Sequence, residues 1–506
     1  MYKIETECLQ QLYINDSKMN EELSLEQNYA FEKFKGGQNL FITGPGGTGK
    51  TRLIKHLVEH TKKHTKKKIQ VCALTGCAAV LLNCGARTIH SWSGIRIAKG
   101  PSEKVVDSVV KNKKAIRTWK STDILIVDEI SMMSKKIVEI LDKIGKLARC
   151  NSLPFGGMQI IFTGDFFQLP PVGSEGEPDT EIFCFESPVW NQLFKMENHV
   201  QLTSIFRQND PTYIQILSEI RNGELSKESI EVLKQNVKRE YDATKHGGFI
   251  PTKLFPIRSK VDFVNTSMFS KIDETEYEFE HTSITDCKTN MDSGKTLPFE
   301  ILVKESKISE QEKEYEIENI LNNTPCSRIL RLKKGSTVMC TVNIDMDNKI
   351  CNGSQGVVTD IIDTEKITNV VVKFSNGVIK TIQPHCWQSE EHPSIVVKQY
   401  PLCLAWALTI HKIQGATLSM GEIDIGTSIF EYGQTYVALS RIKSLDGLYI
   451  SAFNPERIQA HPKVKLFYTT LPKIDIESLE KKEIDFKAYE LKEESYQDPN
   501  VKVIKF

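Results

Sequence analysis

Positive charge is not in excess in this chain: its 506 residues include 65 lysines and arginines against 65 aspartates and glutamates, a formal net charge of zero. Many nucleic-acid binders carry a global basic footprint, so a surface for a polyanion must here be local. Long apolar runs are missing too. None approaches the ~18 residues that a membrane-spanning helix needs, and the start, Met1 to Glu7, has no apolar secretory core. These absences exclude membrane and secretory classes and predict an intracellular protein, with nucleus, mitochondrion, cytoplasm and viral replication site left open. The 12 cysteines form no C-x-x-C pair and no cluster with histidine, so a zinc site and a disulfide framework are not expected and the thiols read as reduced core residues. No nuclease constellation is present. With 40% hydrophobic residues the chain is globular, and its length suits about three or four domains at roughly 100–200 residues each.

The most informative feature present lies at residues 41–51, where an apolar strand-like run is followed by G-x-x-x-x-G-K-T and then a helix-like run. This spacing is that of a phosphate loop. Gly44, Pro45, Gly46, Gly47, Thr48 and Gly49 would present backbone N–H groups to phosphate oxygens, Lys50 would bring charge to the β and γ phosphates, and the Thr51 hydroxyl would ligate Mg²⁺. The cofactors expected are therefore ATP and Mg²⁺.

Residues 121–130 read as a buried parallel strand ending in Asp128 and Glu129, at the end where α/β sheets place ligands. Asp128 would hold the metal, directly or through water, and Glu129 would activate the attacking water. The densest basic run, Lys62 to Lys68, reads equally as a solvated loop and as a phosphate contact or import signal.

Further motifs follow in order, and together they resemble the Pif-type (petite integration frequency) DNA helicases of superfamily 1B. Residues 23–27 look like that family's Q motif, in which Gln27 would read the adenine edge. Residues 74–79 and 86–95 look like its single-strand contact motifs, with Thr75, Thr88 and His90 as contacts and Trp92 as either a stacking partner or a core residue. Residues 141–149, 154–159 and 164–172 resemble the Pif-type signature region. There Gln168 stands as a sensor linking the γ-phosphate to the DNA groove, and Phe166 as a DNA contact. Arg207 in residues 202–208 and Arg441 in residues 433–441 stand where the family has γ-phosphate fingers, a role that suits a fixed, always-charged fork. Residues 409–417 resemble motif V, with His411 on the DNA side and Gly415 at the nucleotide. At position 413 the family usually has a small hydroxyl residue, and Ile413 departs from it.

The expected architecture is α/β: two RecA-like phosphate-loop domains, each a parallel sheet flanked by helices, with a small SH3-like β-barrel inserted. The first would span about 20–200 after an N-terminal segment at 1–19, with the charged stretch 98–122 as a candidate wedge element. The second would comprise 201–275 and 400–470. Residues 276–327, acidic and weakly periodic, read as a variable polar insertion or flexible loop. Residues 328–399 alternate β-branched runs with turn pairs at Asn352-Gly353 and Asn376-Gly377, as a small antiparallel barrel would, and 471–506 read as a charged tail. The resemblance covers roughly 20–470 and leaves no long N-terminal extension.

What the resemblance implies is an ATP-dependent helicase that moves 5′→3′ on single-stranded DNA and opens duplex junctions in replication, repair or recombination, acting as a monomer with oligomers open. Two other readings stand beside it: an RNA-directed or RecD-like helicase subunit, and a nucleotide-switched clamp that holds DNA without unwinding it. Glu129, Arg207 and Arg441 weigh against the clamp, which needs no water-activating base.

Overall fold

The computed structural model describes residues 23–472, except 83, 97, 243–249, 292–293, 346–347, 349, 364–367, 390–391, 412 and 416. The N-terminal segment 1–19 and the tail beyond residue 472 lie outside the described residues.

Six short strands form the first sheet: β1 (Leu40–Thr43), β2 (Ile69–Ala73), β3 (Arg87–Thr88), β4 (Ile124–Asp128), β5 (Gln159–Gly164) and β6 (His199–Gln201). Their order is β3-β2-β4-β5-β1-β6, and every pairing is parallel. β1, β4 and β5 are buried along their whole length, which explains why they read as unbroken apolar runs rather than alternating ones. On one face Leu53, Ile54, Leu57 and Val58 of helix Lys50–His64 pack with Ala30 and Phe34 of helix Leu25–Lys35. The other face is covered by helices Ser102–Lys111, Lys113–Ser121 and Lys135–Arg149. The charged stretch 98–122, the candidate wedge element, therefore packs on the first sheet through one face of its two helices. Val105, Val109 and Trp119 turn inward, and Trp119 stacks at 4.6 Å on Trp92, which makes Trp92 a core residue. The charges occupy the outer side of two amphipathic helices, which composition alone does not separate from a solvated loop.

The chain then supplies β7 (Thr252–Phe255) and runs through an antiparallel insertion: β8 (Tyr277–Glu280), β9 (Thr282–Ile284), β10 (Ile329–Leu332), β11 (Thr337–Cys340), β12 (Gln355–Asp363), β13 (Thr368–Phe374), β14 (Ile379–Ile382), β15 (His385–Gln388), β16 (Val396–Gln399) and β17 (Leu402–Leu404). These make three small sheets, β14-β13-β12-β11-β17, β15-β16-β9 and β10-β8. The β13–β14 hairpin turns at Asn376-Gly377, where Gly377 sits at φ 87°, a conformation that an Asn-Gly turn supplies at little cost. Residues 276–327, expected to be a variable polar insertion or flexible loop, carry β8, β9 and helices Phe299–Glu305 and Glu310–Asn323. β8 and β9 find their partners in β10 and β16, far along the chain, a pairing that local periodicity does not report.

β18 (Ala407–Thr409), β19 (Gly421–Ile425) and β20 (Leu448–Phe453) join β7 in a second parallel sheet of order β18-β7-β19-β20. Helices Pro211–Asn222 and Gln434–Leu439 pack on it through Tyr213, Ile216, Leu217, Tyr436 and Val437. The last described helix, Pro462–Thr470, leaves this domain. Its Phe467 stacks on Phe185 at 4.3 Å and meets Phe41, Phe166 and Trp190 in the first domain's core, so residues 462–471 belong structurally to the first domain rather than the second.

Candidate nucleotide cleft and DNA-side residues

The phosphate loop joins β1 to helix Lys50–His64. Gly49 precedes that helix at φ 79°, gives it no side-chain cap, and no acid stands in the first turn, so the first-turn N–H groups and the positive end of the helix dipole face an anion site. Gly44, at φ 152°, lies against the Leu202 carbonyl, which an added Cβ would meet at 2.3 Å. Lys50 donates to the carbonyls of Gly44 at 2.6 Å and Pro45 at 2.9 Å. Burial lowers its pKa, with Asp165, Glu129 and Asp128 opposing that shift. A phosphate would supply the counter-charge that two neutral carbonyls cannot.

A cleft of about 350 Å³ is lined by Gly46 to Arg52, Asp128, Glu129, Gln168, Phe206, Arg207, Gly415 and Arg441. Nearly every nucleotide residue expected from the sequence therefore meets in one place. Asp128 ends β4 and accepts a hydrogen bond from the Thr163 hydroxyl on neighbouring β5. Glu129 follows in a left-handed conformation, φ 55°, unusual for a non-glycine residue and typical of functional positions held by their surroundings. Burial raises the pKa of both acids; for Glu129 the adjacent Asp128 adds to the rise, while Arg441 and Lys50 oppose it. Gln414 donates to Glu129 Oε2 at 3.2 Å from across the cleft, so motif V of the second domain touches the candidate base directly.

The two arginines converge as well. Arg207 donates to the Ser440 carbonyl at 3.1 Å, and Gln208 beside it donates to the carbonyls of Ser440 and Ile442. Arg441 is buried, donating to the Val437 carbonyl at 3.0 Å and to Ser440 Oγ at 3.0 Å. Burial and then the like charge of Arg441 lower the Arg207 pKa to about 10. A half-buried and a fully buried guanidinium that both reach Ser440 call for an anion. Gln168 is also buried, and among the described residues its Oε1 has no hydrogen-bond partner. The fit to a nucleoside triphosphate is good: uncapped first-turn N–H groups, Lys50 and the two arginines line one cavity. Mg²⁺ would be held by Thr51 and Asp128, which both line this cavity. Gln27, the expected adenine reader, is held beside the phosphate loop. Its Oε1 accepts from Ser24 N–H as part of a capping box, and its Nε2 donates to the Thr48 carbonyl at 3.2 Å, so the amide braces the phosphate loop.

The DNA-side candidates divide. Thr75 follows β2 and Thr88 ends the adjacent β3; their hydroxyls accept from Ala78 N–H and Ser91 N–H, capping the helices that follow. His90 lies beside them, mostly buried, and burial lowers its pKa, so near neutral pH it is a neutral hydrogen-bonding group. His411 is exposed after β18 on the second domain. Phe166 is a correction. It is 1% exposed and packed among Phe41, Phe185, Trp190 and Phe467, so its ring is not available to a strand. Ile413 is fully buried in the second domain's core, which explains its departure from a small hydroxyl residue. Lys62 to Lys68 are exposed at the end of helix Lys50–His64 and in the loop beyond it.

Comparison with known proteins decides the family. The PIF1-like helicase family matches residues 22–231, and the 2B domain of the DNA helicase Pif1 matches residues 316–361. An ATP-dependent DNA helicase Pif1 from Bdellovibrio bacteriovorus is 34% identical over 454 residues, covering 88% of this chain and 92% of that protein. The chain belongs to the PIF1-like helicase family. Among solved structures, Pif1 helicase from Candida albicans is similar at 32% identity with a TM-score of 0.69, over 89% of this chain and all of that one. Bacteroides Pif1 bound to single-stranded DNA is similar at 26% and 0.59, over 89% and 96%. The chain spans 57% to 65% of the length of the fungal and vertebrate PIF1 helicases that it matches.

Within this PIF1-like fold the structure adds residues that sequence reading did not single out. Tyr436 accepts the Gly46 N–H at 2.8 Å, placing a second-domain phenol on the phosphate loop. Gln414 lay inside a motif but without a role. Arg221 and Tyr468 lie outside every motif and have no local signal, since each reads as one polar residue on an amphipathic helix.

Proposed function

We propose that the chain is an ATP-dependent DNA helicase that translocates on single-stranded DNA, 5′→3′, and opens duplex junctions. The observation that carries the proposal is the cleft between the two parallel-sheet domains, where first-domain Lys50, Asp128, Glu129 and Gln168 face Arg207 and second-domain Arg441 and Gly415. Glu129, with its proton affinity raised, suits a general base that takes a proton from the attacking water. Arg207 and Arg441 would hold the charge that spreads over the transferred phosphoryl group. Mg²⁺, when bound at Thr51 and Asp128, would neutralise phosphate charge. Because Gln414 and Tyr436 reach the first domain from the second, nucleotide binding and release would shift one sheet relative to the other. Thr75, Thr88 and His90 on one domain and His411 on the other would then alternate their grip on the strand. The Bacteroides relative bound to single-stranded DNA supports that partner. No helix among the described residues is long and apolar enough to cross a membrane, and we read the site of action as intracellular, wherever the DNA substrate lies. The test is ATP hydrolysis with and without single-stranded DNA: stimulation is expected, and a rate indifferent to DNA would leave the clamp reading.

A further inference from the structure

A buried polar strut lies behind the nucleotide cleft. Asp165, fully buried, receives two hydrogen bonds from Arg221, Nε to Oδ2 and Nη2 to Oδ1, each 2.9 Å. The pair crosses the domain boundary, since Asp165 directly follows β5 and Arg221 ends helix Pro211–Asn222 of the second domain. The Arg221 guanidinium also lies 4.3 Å from the ring centre of Phe167 and 5.1 Å from that of Tyr468. The Tyr468 hydroxyl donates to Asp165 Oδ1 at 3.1 Å, accepts from Phe166 N–H at 3.2 Å and meets Thr43 Oγ1 at 2.5 Å. One phenol therefore ties the last residue of β1, immediately before the phosphate loop, to the first residues of the 165–168 turn.

That turn ends at the cleft. Gln168 N–H donates to the Asp165 carbonyl at 2.9 Å and Phe167 N–H to Asp165 Oδ1 at 3.3 Å, so fixing the Asp165 carboxylate fixes the course of the chain to Gln168. Gln168 lines the nucleotide cleft, and its buried Oε1 has no hydrogen-bond partner among the described residues. Gly433 closes the arrangement from the second domain, where an added Cβ would meet the Phe167 carbonyl at 2.4 Å and the Gln168 carbonyl at 2.6 Å. A network of this kind is costly to leave half satisfied, and an ion pair whose partners sit on different domains has to move as the domains move.

We propose that Arg221 and Tyr468 are positioning residues for ATP turnover: acting through Asp165, they hold the Gln168 turn in register with the phosphate loop and transmit displacement of the second domain to it. The inference rests on the hydrolytic reading above. Neither residue touches the nucleotide, so the effect belongs in kcat rather than in the KM for ATP.

The test is a double-mutant cycle on the full chain with saturating single-stranded DNA. Tyr468→Phe keeps the ring over Arg221 and removes only the bridging hydroxyl. It should lower kcat by roughly 10- to 100-fold, the scale of an ångström-sized misplacement, with the KM for ATP within about threefold. In a Gln168→Ala background the same change should cost less than about twofold, because residues acting through one another are not additive. Arg221→Lys, which keeps the charge and loses the fork, should behave alike and serves as the second variant if Tyr468→Phe melts early. An unchanged kcat, or the same loss with and without Gln168, overturns the inference. A wild-type chain with no ATPase would instead overturn the hydrolytic reading itself.

Discussion

Replacing Arg441 by alanine tests the cleft at its most enclosed point. Arg441 is 2% exposed, and its guanidinium is held by the Val437 carbonyl and Ser440 Oγ. Supplied arginine fingers are worth about 10³–10⁵ in kcat, which at ~1.36 kcal/mol per decade corresponds to about 4–7 kcal/mol of transition-state stabilisation. A second effect follows from the same geometry. Arg441 is the leading influence opposing the raised pKa of Glu129, so its removal leaves Lys50 and Gln414 to stabilise the carboxylate and raises that pKa further. A general base works only when deprotonated. Turnover in the wild type should therefore fall as pH drops through a point above the ordinary glutamate range, and in Arg441→Ala that acid limb should move to still higher pH. Steady-state ATPase across pH, with a melting curve to confirm folding, measures both effects. A folded Arg441→Ala variant with kcat within tenfold of wild type and an unmoved acid limb would refute the finger assignment and the electrostatic link together.

Glu129→Gln should keep ATP and DNA binding and lose hydrolysis; a wild-type single-turnover rate would remove Glu129 as base. Phe166→Ala should destabilise the fold by about 3–5 kcal/mol, as buried Phe truncations do, seen in denaturant unfolding, with single-strand affinity unchanged in the folded fraction; normal stability with weakened DNA binding would restore Phe166 as a contact. Single-strand affinity should depend shallowly on salt, with log K falling by roughly 0.7 per neutralised phosphate over only a handful of phosphates, because the net charge is zero and His90 is neutral. A steep slope would move the strand to another surface, with Lys62 to Lys68 the first to test.

The parts legible in the sequence were those whose chemistry is local. The phosphate loop needs its glycines, lysine and threonine at fixed spacing, and Asp128 and Glu129 sit at the end of an apolar strand; both sets meet in the cleft. The arginines were legible only by resemblance, since nothing near Arg207 distinguishes it from a surface arginine. What stayed hidden depends on long-range pairing. β8 and β9 are short, polar-looking strands completed by β10 and β16; the 98–122 helices show their role only when Trp119 is seen against Trp92; and helix Pro462–Thr470 crosses back to the first domain through Phe467. Phe166 and Phe167 are indistinguishable as letters, yet the first is sealed in the core and the second lies under Arg221. The bonds of the Gln27 amide to Ser24 and Thr48 have no signal in the sequence beyond the capping-box spacing.

Nucleotide turnover in the cleft between the two sheets would drive movement along one DNA strand. Strand displacement on matched duplexes carrying either a 5′ or a 3′ single-stranded tail, with ATP and Mg²⁺, tests it most directly. Release of the 5′-tailed strand is expected, with none from the 3′-tailed duplex and none from either with Lys50→Ala; equal inactivity on both substrates by a chain that hydrolyses ATP in response to DNA would rule out a helicase.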